Sequence, residues 1–256
     1  MAAIATGSPR FDMGRVVNRT FGAIGRNLVV FGLISLFFGA IPYGVLQWAQ
    51  LSGVRSGATN SLASAGLSLL SVFVSLFSSC LIQASLTHGT VADLNGRKAS
   101  FGECLATGLR YMLPVLGIGI LLGISVMFGI LLFIVPGILM MLAWIVAVPA
   151  EVVERRGVFA SFGRSTDLTR NHRGAIFGLA VAYWILVWVI SAAIGVATLG
   201  ATAAAKGNMV IAVAAFAAAA QSIIGMVGAT GVAAIYYELR NIKEGIGPEA
   251  LASVFD

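Results

Sequence analysis

Six runs of predominantly apolar residues, at 27–49, 61–88, 111–134, 137–153, 174–199 and 208–236, dominate this chain, and Asp, Glu, Lys and Arg stay out of them until the fourth enters its acidic boundary. Each approaches the ~20 residues that a helix needs to cross the hydrocarbon core of a bilayer. The pattern predicts an all-α, polytopic membrane protein with six transmembrane helices. A mean hydropathy of +0.96 with only 10% charged residues exceeds what a soluble core needs and leaves no sizeable soluble domain.

The basic residues orient the pattern. All but two of the sixteen lysines and arginines fall on one side of it. Arg10, Arg15, Arg19 and Arg26 precede the first run; Arg97, Lys98 and Arg110 follow the second; Arg155, Arg156, Arg164, Arg170 and Arg173 follow the fourth; Arg240 and Lys243 follow the sixth. Only Arg55 and Lys206 lie on the other side. Basic loops are retained in the cytoplasm, so both termini are expected there, in a bacterial inner membrane. One span more or fewer would scramble this alternation. The first run follows a basic arm as a secretory signal would, but Phe38-Gly39-Ala40 lacks the small-x-small cleavage pattern, so it reads as an uncleaved anchor. The expected divisions are an arm at 1–26, a membrane domain at 27–238 and a tail at 239–256.

Three stretches, at 11–26, 101–110 and 159–173, begin with an aromatic residue and carry basic residues into the next span. They read as short cytoplasmic, interfacial amphipathic helices, each leading a helical hairpin. The result would be three tandem units at about 11–96, 101–157 and 159–241, with Pro248 to Phe255 as a fourth beginning. Each unit has an acidic residue just past its second span: Asp93, Glu154 and Glu238. Two spans per unit keep every repeat in one orientation, so a pseudo-symmetry axis would lie along the membrane normal. In the second stretch Ser100 and Glu103 form a capping-box pattern. In the first, Phe11, Val17, Phe21 and Ile24 alternate with arginines. Such helices either brace the spans or bind anionic headgroups.

Inside the second run Ser61, Ser64, Ser68, Ser71, Ser75, Ser78 and Ser85 recur at steps of three and four, with Ile82 in the one gap, and so share one helix face. Two readings stay open: a close-packing surface, or a wetted groove for a polar solute. The sixth run offers a similar small-residue face at Ala214, Ala218, Ser222, Gly225 and Ala229, to which the serine face could pack. Gln83 and Gln221 must find partners inside the membrane, since lipid offers none. Val135-Pro136-Gly137 predicts a tight turn between full crossings, and Pro149 a bend or end to the fourth helix.

Catalytic and metal chemistry find little to stand on. Paired intramembrane aspartates, a His-Glu-x-x-His zinc motif and a serine with a histidine base are all absent. Apart from His88 and the acidic boundary of the fourth run, no Asp, Glu, Lys, Arg or His lies in the spans, which argues against a proton-coupled carrier. Cys80 and Cys104 read as free thiols, with no metal-ligand spacing and no disulfide framework. Gly117-Ile-Gly119 through Gly123 lacks nucleotide-fingerprint spacing and reads as a packing face. No cofactor is expected. The densest polar cluster is Arg164, Ser165, Asp167, Arg170, His172 and Arg173, which suits either a phosphate or phospholipid headgroup or an ordinary positive-inside anchor.

At these residues a resemblance emerges. Ile134 through Leu139, Trp144, Ala147-Val-Pro149, Val153-Glu154, Gly157 and then Arg164-Ser165, Leu168 to Arg170 and His172-Arg173 resemble the bacterial membrane-domain family associated with glycerophosphoryl diester phosphodiesterases. The resemblance is most specific over 134–178, with Asn171 where glycine is expected and Gly174 where an aromatic is common. It implies a membrane module, fused in other cases to a soluble catalytic barrel that this chain has no room for, and it implies no phosphodiesterase activity. His172-Arg-Gly174 matches a tripeptide of that barrel, but it opens a membrane span and no acidic metal motif follows.

Three functions are therefore weighed. The first is a non-enzymatic membrane protein binding anionic phospholipid at the cytoplasmic interface through Arg155, Arg156, Arg164, Arg170, His172 and Arg173, in envelope or lipid homeostasis or as an accessory subunit. The second is a carrier or channel for a small or amphiphilic solute along the polar face of Ser64, Ser68, Ser71, Ser75, Ser78 and Gln221. The third, a lipid-modifying enzyme using Asp93, Glu154, Asp167 or His172, is the weakest. A protein partner or homo-oligomer fits an accessory role. The net charge of +6 suits an anionic membrane surface and needs no nucleic acid to explain it.

Overall fold

Without water to satisfy backbone amides, apolar runs of this length close their hydrogen bonds internally as helix. The computed structural model describes residues 11–55, 62–204 and 207–245, and they fold into helices with no strand among them. Arg10, Ser61, Lys206 and the 248–255 segment lie outside the described residues. The helices are α1 (Met13–Arg26), α2 (Leu28–Ser35), a π-helical turn (Leu36–Ala40), α3 (Ile41–Arg55), α4 (Leu62–Leu94), α5 (Phe101–Leu132), α6 (Ile134–Trp144), α7 (Ala147–Glu154), α8 (Val158–Thr169), α9 (Arg173–Ala204) and α10 (Gly207–Glu244). Among the described residues six segments are long and apolar enough to cross a membrane: Leu28–Gln50, Ser64–Leu94, Phe101–Leu132, Ile134–Glu154, Arg173–Gly200 and Ile211–Glu244. The chain is thus a multi-pass membrane protein.

Local chemistry sets several boundaries. Asp12 caps α1, its carboxylate accepting from the amides of Gly14 (2.8 Å) and Arg15 (3.3 Å). Ser100 and Glu103 close a reciprocal capping box at the start of α5. That helix then continues unbroken through Pro114 to Leu132. The separate interfacial helix expected at 101–110 is therefore absent: those residues are the first turns of the third span. The other two expected helices are separate elements, α1 and α8.

The turn between the third and fourth spans is tighter than Val135-Pro136-Gly137 suggested. Phe133 alone is extended, and α6 starts at the next residue. The two helices can diverge so abruptly because glycine faces glycine; a Cβ on Gly129 would stand 2.8 Å from the Cα of Gly137. The fourth span breaks at Ile145–Val146, ahead of Pro149. Pro149 instead falls in the first turn of α7, where its missing N–H leaves no helical bond unmade.

Packing is concentrated at the end of the bundle that carries the basic residues. One cluster joins Val16 of α1, Val146, Leu168, Ile176 and Tyr236; a second joins Phe31, Ile34, Leu86 and Met226; a third joins Ala84, Tyr111, Ile118 and Val148. Toward the other end the spans expose most of their large side chains, including Leu69, Phe73, Phe128, Leu131, Trp188 and Val196. There part of the small face of α10 meets the first span, as a Cβ on Gly44 would stand 3.2 Å from Ala218 and one on Gly39 3.1 Å from Ser222, while α10 also packs against α4, Ala229 joining Ile82 and Leu86. The most extensive helix pairing joins α4 to α5, across the boundary expected between hairpin units. α9 is the outlying span, touching α10 with lesser contacts to α6 and α1.

Candidate functional site: an uncharged intramembrane cavity

With Ala218 and Ser222 of α10 set against the first span, Ser68, Ser71, Ser75 and Ser78 of α4 line open space. A cavity of about 1050 Å³ lies between the spans, bounded by Ser68, Ser71, Ser75, Ser78 and Ser79 of α4, by α3, α5, α6, α9 and α10, and at the basic end by Val16, Val17, Thr20 and Phe21 of α1. Ligand pockets commonly occupy ~300–1,000 Å³, so this space is generous. Val72, Trp184 and Leu186 line it and are also exposed on the flank of the bundle. The cavity thus opens sideways at the depth of the apolar spans.

Its polar wall has a defined hydrogen-bonding state. Ser68 donates to the carbonyl of Ser64 (2.9 Å), Ser71 to Leu67 (2.8 Å) and Ser75 to Val72 (2.9 Å). Such back-bonding satisfies the hydroxyl proton and leaves the oxygen as an acceptor. Gln50 donates its amide to Ser71 Oγ (2.8 Å), bridging α3 to α4. Tyr43, Gln47, Gln83, Gln221 and Ser222 complete the polar lining. Gln221, expected to find a partner inside the membrane, is exposed into this space. Ser64 is half-buried and outside the lining, and Ser85 is fully buried against Gly108 of α5.

α9 closes one side by a notch. A Cβ on Gly228 would stand 2.5 Å from the hydroxyl of Tyr183, which donates to the carbonyl of Ile224 (3.2 Å). Only glycine leaves room for that ring.

No family model, curated protein or solved structure matches the chain.

At the basic end each acidic residue noted past a span holds arginine. Asp93, with a side chain 7% exposed, takes Arg26 (2.6 Å) and the amide of Asn27 (2.8 Å). Glu238, 3% exposed, takes Arg15 (2.8 Å) and Arg19. Glu154, 8% exposed, takes Arg156 (2.6 Å), Arg164 (2.9 Å) and the hydroxyl of Tyr236 (2.8 Å). α1 and α8 are thereby tied down across the bundle. The bond to Asp93 holds the Arg26 guanidinium above its ordinary pKa. Burial pulls Arg164 down, but Glu154 and Glu244 more than offset it, so that guanidinium also lies above its ordinary value.

This geometry corrects the expected headgroup cluster. Arg164 is 15% exposed and held by two carboxylates, so it has no charge to spare. Arg155 and Arg156 stand at the beginning of α8 and Arg170, His172 and Arg173 beyond its end. Twelve residues of helix separate these groups by about 18 Å. One headgroup does not span that distance. Arg155 ends α7 in a left-handed conformation (φ 55°) and Arg170 is exposed. His172 lies against the ring of Phe11 with centroids 5.9 Å apart, and the half-buried Arg173 has an Nε with no hydrogen-bond partner.

The serine stripe pointed to one wall of the cavity. The Gln47 and Gln50 pair, Tyr43 and Tyr183 were missed, although Gln47 and Gln50 at a three-residue step share a helix face and were a readable signal. Among the described residues no group of His, Cys, Asp and Glu has the arrangement of a metal site.

Proposed function

We propose that this protein binds a membrane amphiphile in the cavity between its spans and acts by binding or carriage, without chemistry of its own. In this reading it is a bacterial inner-membrane protein with both termini cytoplasmic, the orientation favoured by its basic loops. One observation carries it: a cavity of about 1050 Å³ that opens sideways, lined by serine and glutamine side chains together with apolar ones. An amphiphile entering from the bilayer would keep its apolar part out of water while its polar part exchanges lipid for hydrogen bonds. The resemblance of 134–178 to membrane modules associated with glycerophosphoryl diester phosphodiesterases fits a lipid-related role, including service as an accessory subunit.

Gly119 and Gly225 line the cavity, and a Cβ at either would meet nothing within 4 Å. Leucine at these positions is expected to fill the space without disturbing the fold. Native mass spectra of gently extracted protein should show lipid bound to the wild type and lost from Gly119→Leu and Gly225→Leu. Equal retention by all three would refute the proposal.

A second reading, anionic phospholipid held at the cytoplasmic interface, keeps support from Arg155 and Arg170, both exposed and without an ion pair among the described residues. It predicts that replacing Arg155, Arg156, Arg170 and Arg173 together strips phospholipid while the two leucine variants retain it.

A further inference from the structure

The cavity also carries information about the headgroup. Resting on the cavity reading, we infer that its occupant is an uncharged glycerolipid bearing a free hydroxyl, of the diacylglycerol class, rather than an anionic phospholipid.

The first observation is charge. Among the described residues that line the cavity there is no Asp, Glu, Lys, Arg or His. The arginines nearest its basic end, Arg15 and Arg19, are held by Glu238. A phosphate drawn into such a space would lose its hydration and find no cation to replace it.

The second observation is the direction of the hydrogen bonds. Because Ser68 and Ser75 spend their protons on carbonyls of their own helix, they present acceptor oxygens, while Ser71 both donates to Leu67 and accepts from Gln50. A phosphodiester is itself an acceptor and finds no donor on these serines. A free hydroxyl supplies the missing donor, and its own oxygen can take a proton from the amides of Gln47, Gln83 or Gln221, which line the same space. The third observation is the apolar part of the lining: Leu179, Ala182 and Leu186 of α9 with Ile224, Val227 and Val232 of α10 offer an apolar surface for acyl chain. Surfaces for head and tail thus belong to one cavity, and the opening beside Trp184 gives a route from the bilayer.

The test uses full-length protein in nanodiscs of neutral phosphatidylcholine doped with equal amounts of dioleoylglycerol and dioleoylphosphatidylglycerol, followed by gentle release and native mass spectrometry. The wild type is expected to retain dioleoylglycerol at least tenfold over dioleoylphosphatidylglycerol. Ser68→Ala with Ser75→Ala, which removes two acceptors and little volume, should reduce that preference severalfold, and Gly225→Leu should abolish retention. Gly119→Leu stands in if Gly225→Leu elutes as aggregate. Retention of phosphatidylglycerol at equal or higher level, lost in the leucine variant, would overturn the uncharged headgroup and leave the cavity reading intact. A preference unmoved by the double alanine variant would also overturn the assignment to the serine wall. Retention of either lipid unaffected by leucine, or none by the wild type, would overturn both.

Discussion

Replacing Gly108 by alanine tests how α4 and α5 come to be so closely packed. A Cβ there would overlap Ser85 Oγ and stand 3.0 Å from the carbonyl oxygen of Leu81. Overpacking of this kind costs roughly 1–3 kcal/mol, while alanine in a helix interior recovers about 0.5–1 kcal/mol over glycine. The net loss should be about 1–2 kcal/mol. Ser85 is fully buried and its hydroxyl has no hydrogen-bond partner, so Ser85→Ala removes no bond and is expected to be neutral or slightly stabilising. With that oxygen gone, the Gly108 methyl retains only the 3.0 Å contact to Leu81 O and a 3.4 Å contact to Leu81 Cγ. The double variant should therefore regain about half of the loss or more, a coupling near 1 kcal/mol. Gly137→Ala is the contrast. A Cβ there would stand 2.8 Å from the backbone nitrogen of Ile130 and 3.1 Å from the backbone carbon of Gly129, which no side-chain truncation moves, so it should sit at the severe end. Equilibrium unfolding in mixed micelles, followed by tryptophan fluorescence, measures all four variants. If Ser85→Ala leaves the cost of Gly108→Ala unchanged, or if Gly108→Ala is as stable as wild type, the packing argument is wrong.

Glu238→Gln should loosen α1. Breaking a buried pair costs ~3–5 kcal/mol, but Arg15 and Arg19 are 38% and 21% exposed, so water screening reduces the expected loss to about 1–3 kcal/mol, read as a lower melting temperature in detergent. Asp12→Ala removes the cap of α1 and should cost ~1 kcal/mol, with faster proteolysis inside Met13–Arg26 and unchanged cleavage elsewhere. Gly228→Ala should expel the Tyr183 ring and its bond to Ile224, raising hydrogen exchange along Arg173–Gly200 more than Tyr183→Phe, which loses the bond alone. A phenylalanine variant as perturbed as the alanine one would show that the notch contributes nothing.

Much of the architecture was legible because the bilayer leaves a long apolar run only one economical conformation. The first span, expected at 27–49, is Leu28–Gln50, and the fifth, expected at 174–199, is Arg173–Gly200. Where the reading failed, neighbours or geometry decided. The stretch at 101–110 carries an interfacial pattern, yet its capping box begins a helix that nothing interrupts, so it became the base of the third span. Asp93, Glu154 and Glu238 were visible as a recurring position, but no local pattern said that they would bind Arg26, Arg164 and the Arg15–Arg19 pair, since those choices depend on how distant segments dock. The serine face was visible as a face. What lay opposite was not, because the glycines at 39 and 44 meet Ala218 and Ser222, two of the small residues to which the serine face could have packed.

Those two glycines share a neighbour only because of the π-helical turn at Leu36–Ala40. At about 100° per residue, positions five apart in an uninterrupted α-helix point some 140° away from each other. A wider turn with i→i+5 bonding absorbs the difference, as one residue more than the regular helix would hold. Tyr43, Gln47 and Gln50 follow that turn and line the cavity. Deleting a single residue from 36–40 would restore a regular helix and leave this polar set on the cavity wall, whereas regularising the turn with its residue count kept would swing the set about 100° away, with no side chain in the cavity changed. What the first span presents to a ligand therefore depends on this turn holding its extra residue as a bulge, and a relative with a one-residue alignment gap here would keep the same binding surface on a regular span.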